Sequence, residues 1–167
     1  MTLPDGIHVA WREVRVGVPR RDVSRALLAE ALPGVRFDSR CASCGGDHGP
    51  VHAEGTDAAV SVSYAPGWAV VAVARHHARV GVDAVPDDVG GLERVLPPGA
   101  DAARAWARIE AVLKADGRGL AVDPARIDVV SIDGRAWEAR LDERSWRGWD
   151  LPGPDGVVVA VAASSPR

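Results

Sequence analysis

Apolar residues at Ala102, Ala105, Ile109, Val112 and Leu113 recur at helical spacing and predict an amphipathic helix from about Ala100 to Ala115. Gly117 stands where a left-handed residue ends a helix. A second stripe, Val23, Ala26, Leu27, Leu28, Ala31 and Leu32, predicts a helix over Arg21–Leu32 that Pro33-Gly34 stops. Partial alternation over Ile7–Val18 reads as one or two strands, ended by Pro19. Ala59–Ser63 reads as a short strand running into a turn at Tyr64–Gly67. Trp68–Arg75 and Ala78–Val85 read as a hairpin joined through His76-His77. Arg126–Ile132, Ala136–Leu141 and Val157–Ala163 read as three strands, with Asp133-Gly134 as a tight turn between the first two. Pro86–Gly91 reads as a linker, Leu92–Leu96 as a short helix, and the Gly-, Cys- and His-rich Arg40–His52 as an irregular loop.

Each half of the chain places a helix before a run of strands. In addition, Pro66-x3-Val70-Val71-Ala72-Val73-Ala74 is echoed by Pro154-x3-Val158-Val159-Ala160-Val161-Ala162. The expected architecture is therefore α+β: two similar lobes, 1–85 and 86–167, meeting at a pseudo-twofold interface with a ligand cleft between them.

Composition narrows the partners. The 167 residues suffice for one domain with a real core or two small lobes. A net charge of -3 provides no basic footprint for nucleic acid. No apolar run reaches the roughly 18–20 residues that span a bilayer, and Met1–Trp11 lacks a secretory pattern. The expectation is a cytoplasmic monomer with reduced thiols at Cys41 and Cys44.

Trp106, Glu110 and Lys114 are four apart, so the long helix lines an aromatic ring, a carboxylate and an ammonium along one side. Lys114 is the only lysine among 20 basic residues. As a surface pair, Glu110 and Lys114 would contribute only about 0.3–0.5 kcal/mol. Asp83, in the apolar run Gly81-Val82-Asp83-Ala84-Val85, is costly unless solvated, paired or metal-bound. It either caps the following turn or joins Glu110 as an oxygen ligand for Mg²⁺ shared with substrate phosphates. Cys41-x2-Cys44-x3-His48-x3-His52 is either a compact Zn²⁺ site or a glycine-rich loop without metal. His76 and His77 are expected to be solvated at their turn. The six tryptophans (11, 68, 106, 137, 146 and 149) are expected in the core and at the lobe interface.

Taken together, these pieces resemble the phosphopantetheinyl transferases of the surfactin-synthetase-activating type. That family carries a Trp-x-x-Lys-Glu-Ala-x-x-Lys-x-x-Gly-x-Gly-Leu helix. Here it reads Trp106-x-x-Ile109-Glu110-Ala111-x-x-Lys114-x-x-Gly117-x-Gly119-Leu120. The family's Gly-Val-Asp-x-Glu strand end is Gly81-Val82-Asp83-Ala84-Val85. Its Arg-Cys-x-x-Cys-Gly-x-x-His-Gly-Lys-Pro loop is matched by Arg40-Cys41-x-x-Cys44-Gly45-x-x-His48-Gly49-Pro50, and its Asn-Leu-Ser-His-Ser stretch by Ser61–Ala65. The resemblance runs from about Arg20 to Ala163.

It implies two pseudo-symmetric lobes with mainly antiparallel sheets, coenzyme A held between them, and transfer of 4′-phosphopantetheine to a serine of an acyl or peptidyl carrier protein. It implies Asp83 and Glu110 as Mg²⁺ ligands, Glu110 as base and Lys114 at the departing phosphate. Arg20, Arg21, Arg40, His48, Gly49, Ser63, Tyr64 and Lys114 would hold coenzyme A, and the cysteine loop would touch that ligand rather than zinc. The chain departs from the pattern at Val85, where the family has Glu, at Ile109, where it has Lys, and at Tyr64, where it has His. It also lacks the Lys before Pro50. Each departure removes charge from the implied site, which leaves a non-catalytic binder of coenzyme A or a carrier protein as the alternative.

Overall fold

The computed structural model describes residues 1–41, 44–92, 96 and 101–166, with Leu120 described by its backbone alone. The fold is α+β, and every strand pairing in it is antiparallel. The chain runs β1 (Ile7–Glu13), α1 (Arg20–Ala31), β2 (Arg36–Asp38), β3 (His52–Glu54), β4 (Ala59–Ala65) and β5 (Trp68–Ala74). It continues through β6 (Val80–Pro86), α2 (Ala102–Asp116), β7 (Asp128–Asp133), β8 (Ala136–Leu141), β9 (Arg144–Pro152) and β10 (Val157–Ala163). The order strand, helix, four strands thus occurs twice. One sheet runs β1-β5-β4, the other β6-β10-β9-β8-β7, and β2 and β3 form a separate ribbon. In each sheet the strand before the helix pairs with the last strand of its half.

Burial explains why the central strands read as unbroken apolar runs. On β5, Val71 and Val73 face Leu27, Leu28 and Leu32 of α1 and its end, while Val70, Ala72 and Ala74 face the second sheet. On β10, Ala160 and Ala162 pack in the cluster of α2, while Val159, Val161 and Ala163 face the first sheet. A strand covered on both faces has no polar side to show. The same fact corrects the sequence echo. Val70, Ala72 and Ala74 point between the sheets, but their matches Ala160 and Ala162 point at the helix. The echo is therefore one residue out of phase with the structural equivalence.

The stretch read as a hairpin at 68–85 is not one. β5 and β6 belong to different sheets, and the segment between them carries the chain from one sheet to the other. The expected junction at 85/86 accordingly falls at the end of β6, a strand of the second sheet. His77, expected in solvent, is 0% exposed. Its Nδ1 lies 2.5 Å from the Ser164 carbonyl and its Nε2 3.2 Å from that of Asp5, tying both chain ends to the crossover. Residues 93–95 of the expected helix at Leu92–Leu96 lie outside the described residues.

Two local devices set the position of α2. Gly81 lets it lie directly on β6: a Cβ there would come within 2.0 Å of the Ala111 carbonyl and 2.5 Å of the Ala115 nitrogen. At the helix start the Asp101 carboxylate accepts the Arg104 N–H at 3.1 Å, and at its end Gly117 takes a left-handed φ of 86°. The buried Asp116 then fastens the last turn by pairing with Arg118 at 2.5 Å and Arg144 at 2.8 Å. Burial pushes the Asp116 carboxyl up, but the two guanidiniums outweigh it and hold the group below the usual carboxylate range. Among the described residues no helix is long and apolar enough to cross a membrane.

Candidate functional site

β4 and β6 are end strands of different sheets, yet they lie side by side. They are joined by serine side chains instead of a backbone ladder. The Val82 N–H donates to Ser61 Oγ at 3.0 Å, and the Ala84 N–H to Ser63 Oγ at 3.2 Å. The two-residue spacing of Ser61 and Ser63 places both hydroxyls on the face of β4 that meets β6. Buried N–H groups that would otherwise lack partners are served this way.

This seam delivers Asp83 to α2. Asp83 is 5% exposed. Its Oδ1 accepts the Ser63 hydroxyl at 2.9 Å and the Lys114 ammonium at 2.6 Å. Lys114 also donates to Ser63 Oγ at 2.9 Å, so the three polar groups form a closed triangle. Lys114 is thus held by Asp83 and not by Glu110, its neighbour one turn back. Glu110 is half-buried on the same helix. Its carboxyl is held above the usual carboxylate range, first by burial and then by the negative charge of Asp83, with Lys114 pulling the other way.

A cavity of about 440 Å³ opens beside this triangle. Its walls come from the first turns of α1, the 39–51 loop, β4 and the end of α2, so it spans both halves of the chain. Arg20, Arg21, His48, Gly49, Tyr64 and Lys114, all expected at a ligand site, line it, as does Gly117. Ser63 does not line it but bonds to Lys114, which does. Arg40 is exposed and does not line the cavity among the described residues. The α1 end of the cavity is a charged lattice. Arg21 bonds to Ser39 Oγ and to the Asp47 carboxylate and carbonyl. Ser39 donates to Asp47 at 2.6 Å, and the Ser39 and Arg21 bonds hold the Asp47 carboxyl below its usual range. Tyr64 meets Ser24 Oγ at 2.8 Å while the Arg20 guanidinium lies 4.6 Å from its ring centre.

Arg25, Ser24 and Ser39 were not singled out by sequence and are part of this wall. Arg25 Nη2 donates to Ser39 Oγ at 2.8 Å, but its buried Nη1 has no hydrogen-bond partner among the described residues. The available signal was position: Arg21 and Arg25 lie four apart on α1 and so share a face. The departures also have a structural counterpart. Val85 and Ile109, which stand where the resembled pattern carries charge, are both buried in one apolar cluster under α2.

The donors suit particular ligands. Arg20, Arg21, Arg25 and Lys114, with the first turn of α1, favour an anion. Asp83 and Glu110 offer hard carboxylate oxygens, and Asp83 Oδ2 makes no hydrogen bond among the described residues, so the pair fits a divalent cation such as Mg²⁺. Burial is the first cause of the raised Glu110 carboxyl, and the Asp83 charge that adds to it is what such a cation would offset. At the cysteine loop, Cys41, Cys44 and His48 come together, while His52 sits in β3 opposite Asp38 and does not join them. Of the tryptophans, Trp137 and Trp146 are buried in the core beneath α2, Trp149 lies between the sheets, and Trp11, Trp68 and Trp106 are half-buried beside these clusters. In comparisons with known proteins, no family model and no curated protein matches the chain.

Proposed function

We propose that the chain is a short, divergent phosphopantetheinyl transferase that moves 4′-phosphopantetheine from coenzyme A to a serine of an acyl or peptidyl carrier protein, on the two-lobed fold of that family. One observation carries the reading. The only lysine of the sequence lies in the wall of an arginine-rich cavity, 2.6 Å from the buried Asp83 of β6. A surface Glu–Lys pair, the bland alternative, would not need a buried aspartate as its partner.

In this reading the coenzyme A phosphates lie against Arg20, Arg21, Arg25 and Lys114, and the Tyr64–Arg20 stack and Gly49 border the nucleotide. Asp83 and Glu110 would hold Mg²⁺, which when bound polarises the pyrophosphate. The half-buried Glu110, a better base for its raised pKa, takes the proton of the carrier serine. The serine oxygen bonds to the phosphorus that carries the pantetheine arm, the bond from that phosphorus to 3′,5′-ADP breaks, and Lys114 offsets the charge gathering on the leaving phosphate. The test is incubation of the full chain with coenzyme A, Mg²⁺ and a panel of apo carrier proteins. The expected result is a mass gain of one phosphopantetheine on a carrier serine, lost in Glu110→Gln. No gain on any carrier removes the reading for that panel.

The buried pair Val85 and Ile109 favours a second reading, in which the chain binds coenzyme A or a carrier protein without transfer. Calorimetry separates the two: binding of coenzyme A without turnover selects the binder.

A further inference from the structure

We propose that Cys41, Cys44 and His48 form a zinc site that braces one wall of the cavity. The three donor atoms lie within 4.8 Å of one another. Zinc bonds of about 2.0–2.3 Å place tetrahedral ligands roughly 3.5 Å apart, so a small inward movement closes the set. Two thiolates and an imidazole are the donors that select zinc over Mg²⁺ or Ca²⁺.

The backbone is already shaped for the task. The Gly45 N–H donates to the Cys41 carbonyl at 2.8 Å, and the Cys41 N–H to the Gly46 carbonyl at 2.7 Å. Gly45 takes a left-handed φ of 71°, the conformation glycine adopts at least cost. The Gly46 N–H points at Cys44 Sγ at 3.4 Å. His48 Nε2 lies 2.9 Å from the same sulfur. Metal binding replaces that hydrogen bond with one bond from each atom to zinc and releases the thiol protons. With His52 elsewhere, three side chains coordinate and water takes the fourth position.

The loop needs such a brace. Among its described residues from Arg40 to Pro50, none is buried, so apolar packing contributes little to holding it. Yet it must keep Asp47 on Arg21 and hold the Gly49 N–H 2.6 Å from the Ser39 carbonyl. A Cβ on Gly49 would come within 2.6 Å of the Arg40 carbonyl, so this turn is tight against its own start. Metal ligation supplies folding free energy to segments without a core. His48 then belongs to the metal and forms the cavity wall from behind it. None of this depends on the transferase reading.

The experiment uses the full chain purified from zinc-supplemented cells. Metal analysis is expected to find one zinc per chain in the wild type and in His52→Ala. Cys44→Ser and His48→Ala are expected to lose it while keeping the far-UV circular dichroism of the sheets. Cobalt substitution is expected to give the strong visible absorption of a tetrahedral thiolate site. Chelation of the wild type is expected to open the 40–49 loop to protease at least several-fold faster, a readout that stands even if a variant fails to fold. Wild type without zinc, zinc retained undiminished in Cys44→Ser, or a cleavage rate indifferent to chelation would each overturn the proposal.

Discussion

Lys114 Nζ lies 2.6 Å from Asp83 Oδ1, and Ser63 bonds to both. The pair joins the last turn of α2 to β6 in a setting where Asp83 is nearly sealed from water. Removing one partner leaves the other charge in place, which is the costly half of a buried ion pair. Lys114→Met is therefore expected to lower unfolding free energy by about 3 kcal/mol. The double variant Lys114→Met/Asp83→Asn is expected to recover much of that loss. Urea denaturation of the four chains of the cycle measures it, and additive losses would show that the two groups do not interact.

Ser61 gives a cleaner measure of the seam, because it takes no part in the triangle. Ser61→Ala leaves the Val82 N–H without its acceptor, at an expected cost of about 2 kcal/mol. Hydrogen exchange should show the Val82 amide losing protection ahead of its neighbours on β10. Unchanged exchange would mean that the seam does not depend on this hydroxyl.

Gly81 controls how closely α2 can lie on β6. Gly81→Ala drives a methyl group into helix backbone that cannot swing aside, and is expected to destabilise the chain by about 3 kcal/mol. If the cavity takes coenzyme A, its affinity measured by calorimetry should fall with it, because α2 carries Glu110 and Lys114. A variant as stable as the wild type would show that the helix has room to spare.

The raised Glu110 carboxyl makes a signed prediction. The folded chain favours the protonated form, so this stabilising contribution is complete below the ordinary carboxylate range and is lost as pH rises through the raised value. Glu110→Gln should therefore melt with the wild type in acid and above it as pH approaches neutrality. If Asp83 and Glu110 hold Mg²⁺, the ion should narrow the gap by stabilising the wild type alone. Scanning calorimetry across pH, with and without Mg²⁺, reads both effects, and a gap independent of pH contradicts them.

Arg25 has a buried nitrogen with no hydrogen-bond partner among the described residues. If the cavity takes the phosphates of coenzyme A, Arg25→Met should weaken binding about tenfold, the worth of one charge-assisted hydrogen bond. The effect should shrink at high salt. Equal affinities by calorimetry would remove Arg25 from the site.

The two helices and most strands were legible because their burial is one-sided or their ends are marked by proline and glycine. The failures have definite causes. The apolar runs of β5 and β6 contain no polar face, so nothing in them shows which sheet each joins, and proximity in sequence favoured a hairpin. β9 was missed because its outward positions carry Arg144 and Arg147, which pair with Asp116 and Asp5 and make the stretch resemble a surface loop. Asp83, Glu110 and Lys114 stood out through motif and residue type. Ser24, Ser39 and Arg25 did not, because an arginine or serine on a helix or in a loop looks the same whether it meets water or a cavity.

The serine seam has a consequence for how the molecule meets other chains. β4 and β6 occupy each other, and Met1–Leu3 fold back on β1, with Thr2 bridged to His8. Of the four outer edges of the two main sheets, this leaves β7 with no strand or terminal segment beyond it among the described residues. Its Val130 and Ile132 are more than half exposed, and an aspartate stands at each end, Asp128 and Asp133. Among the described residues, a strand added to either main sheet, from a second copy or a misfolded neighbour, has one berth open to it, and acidic residues guard both ends.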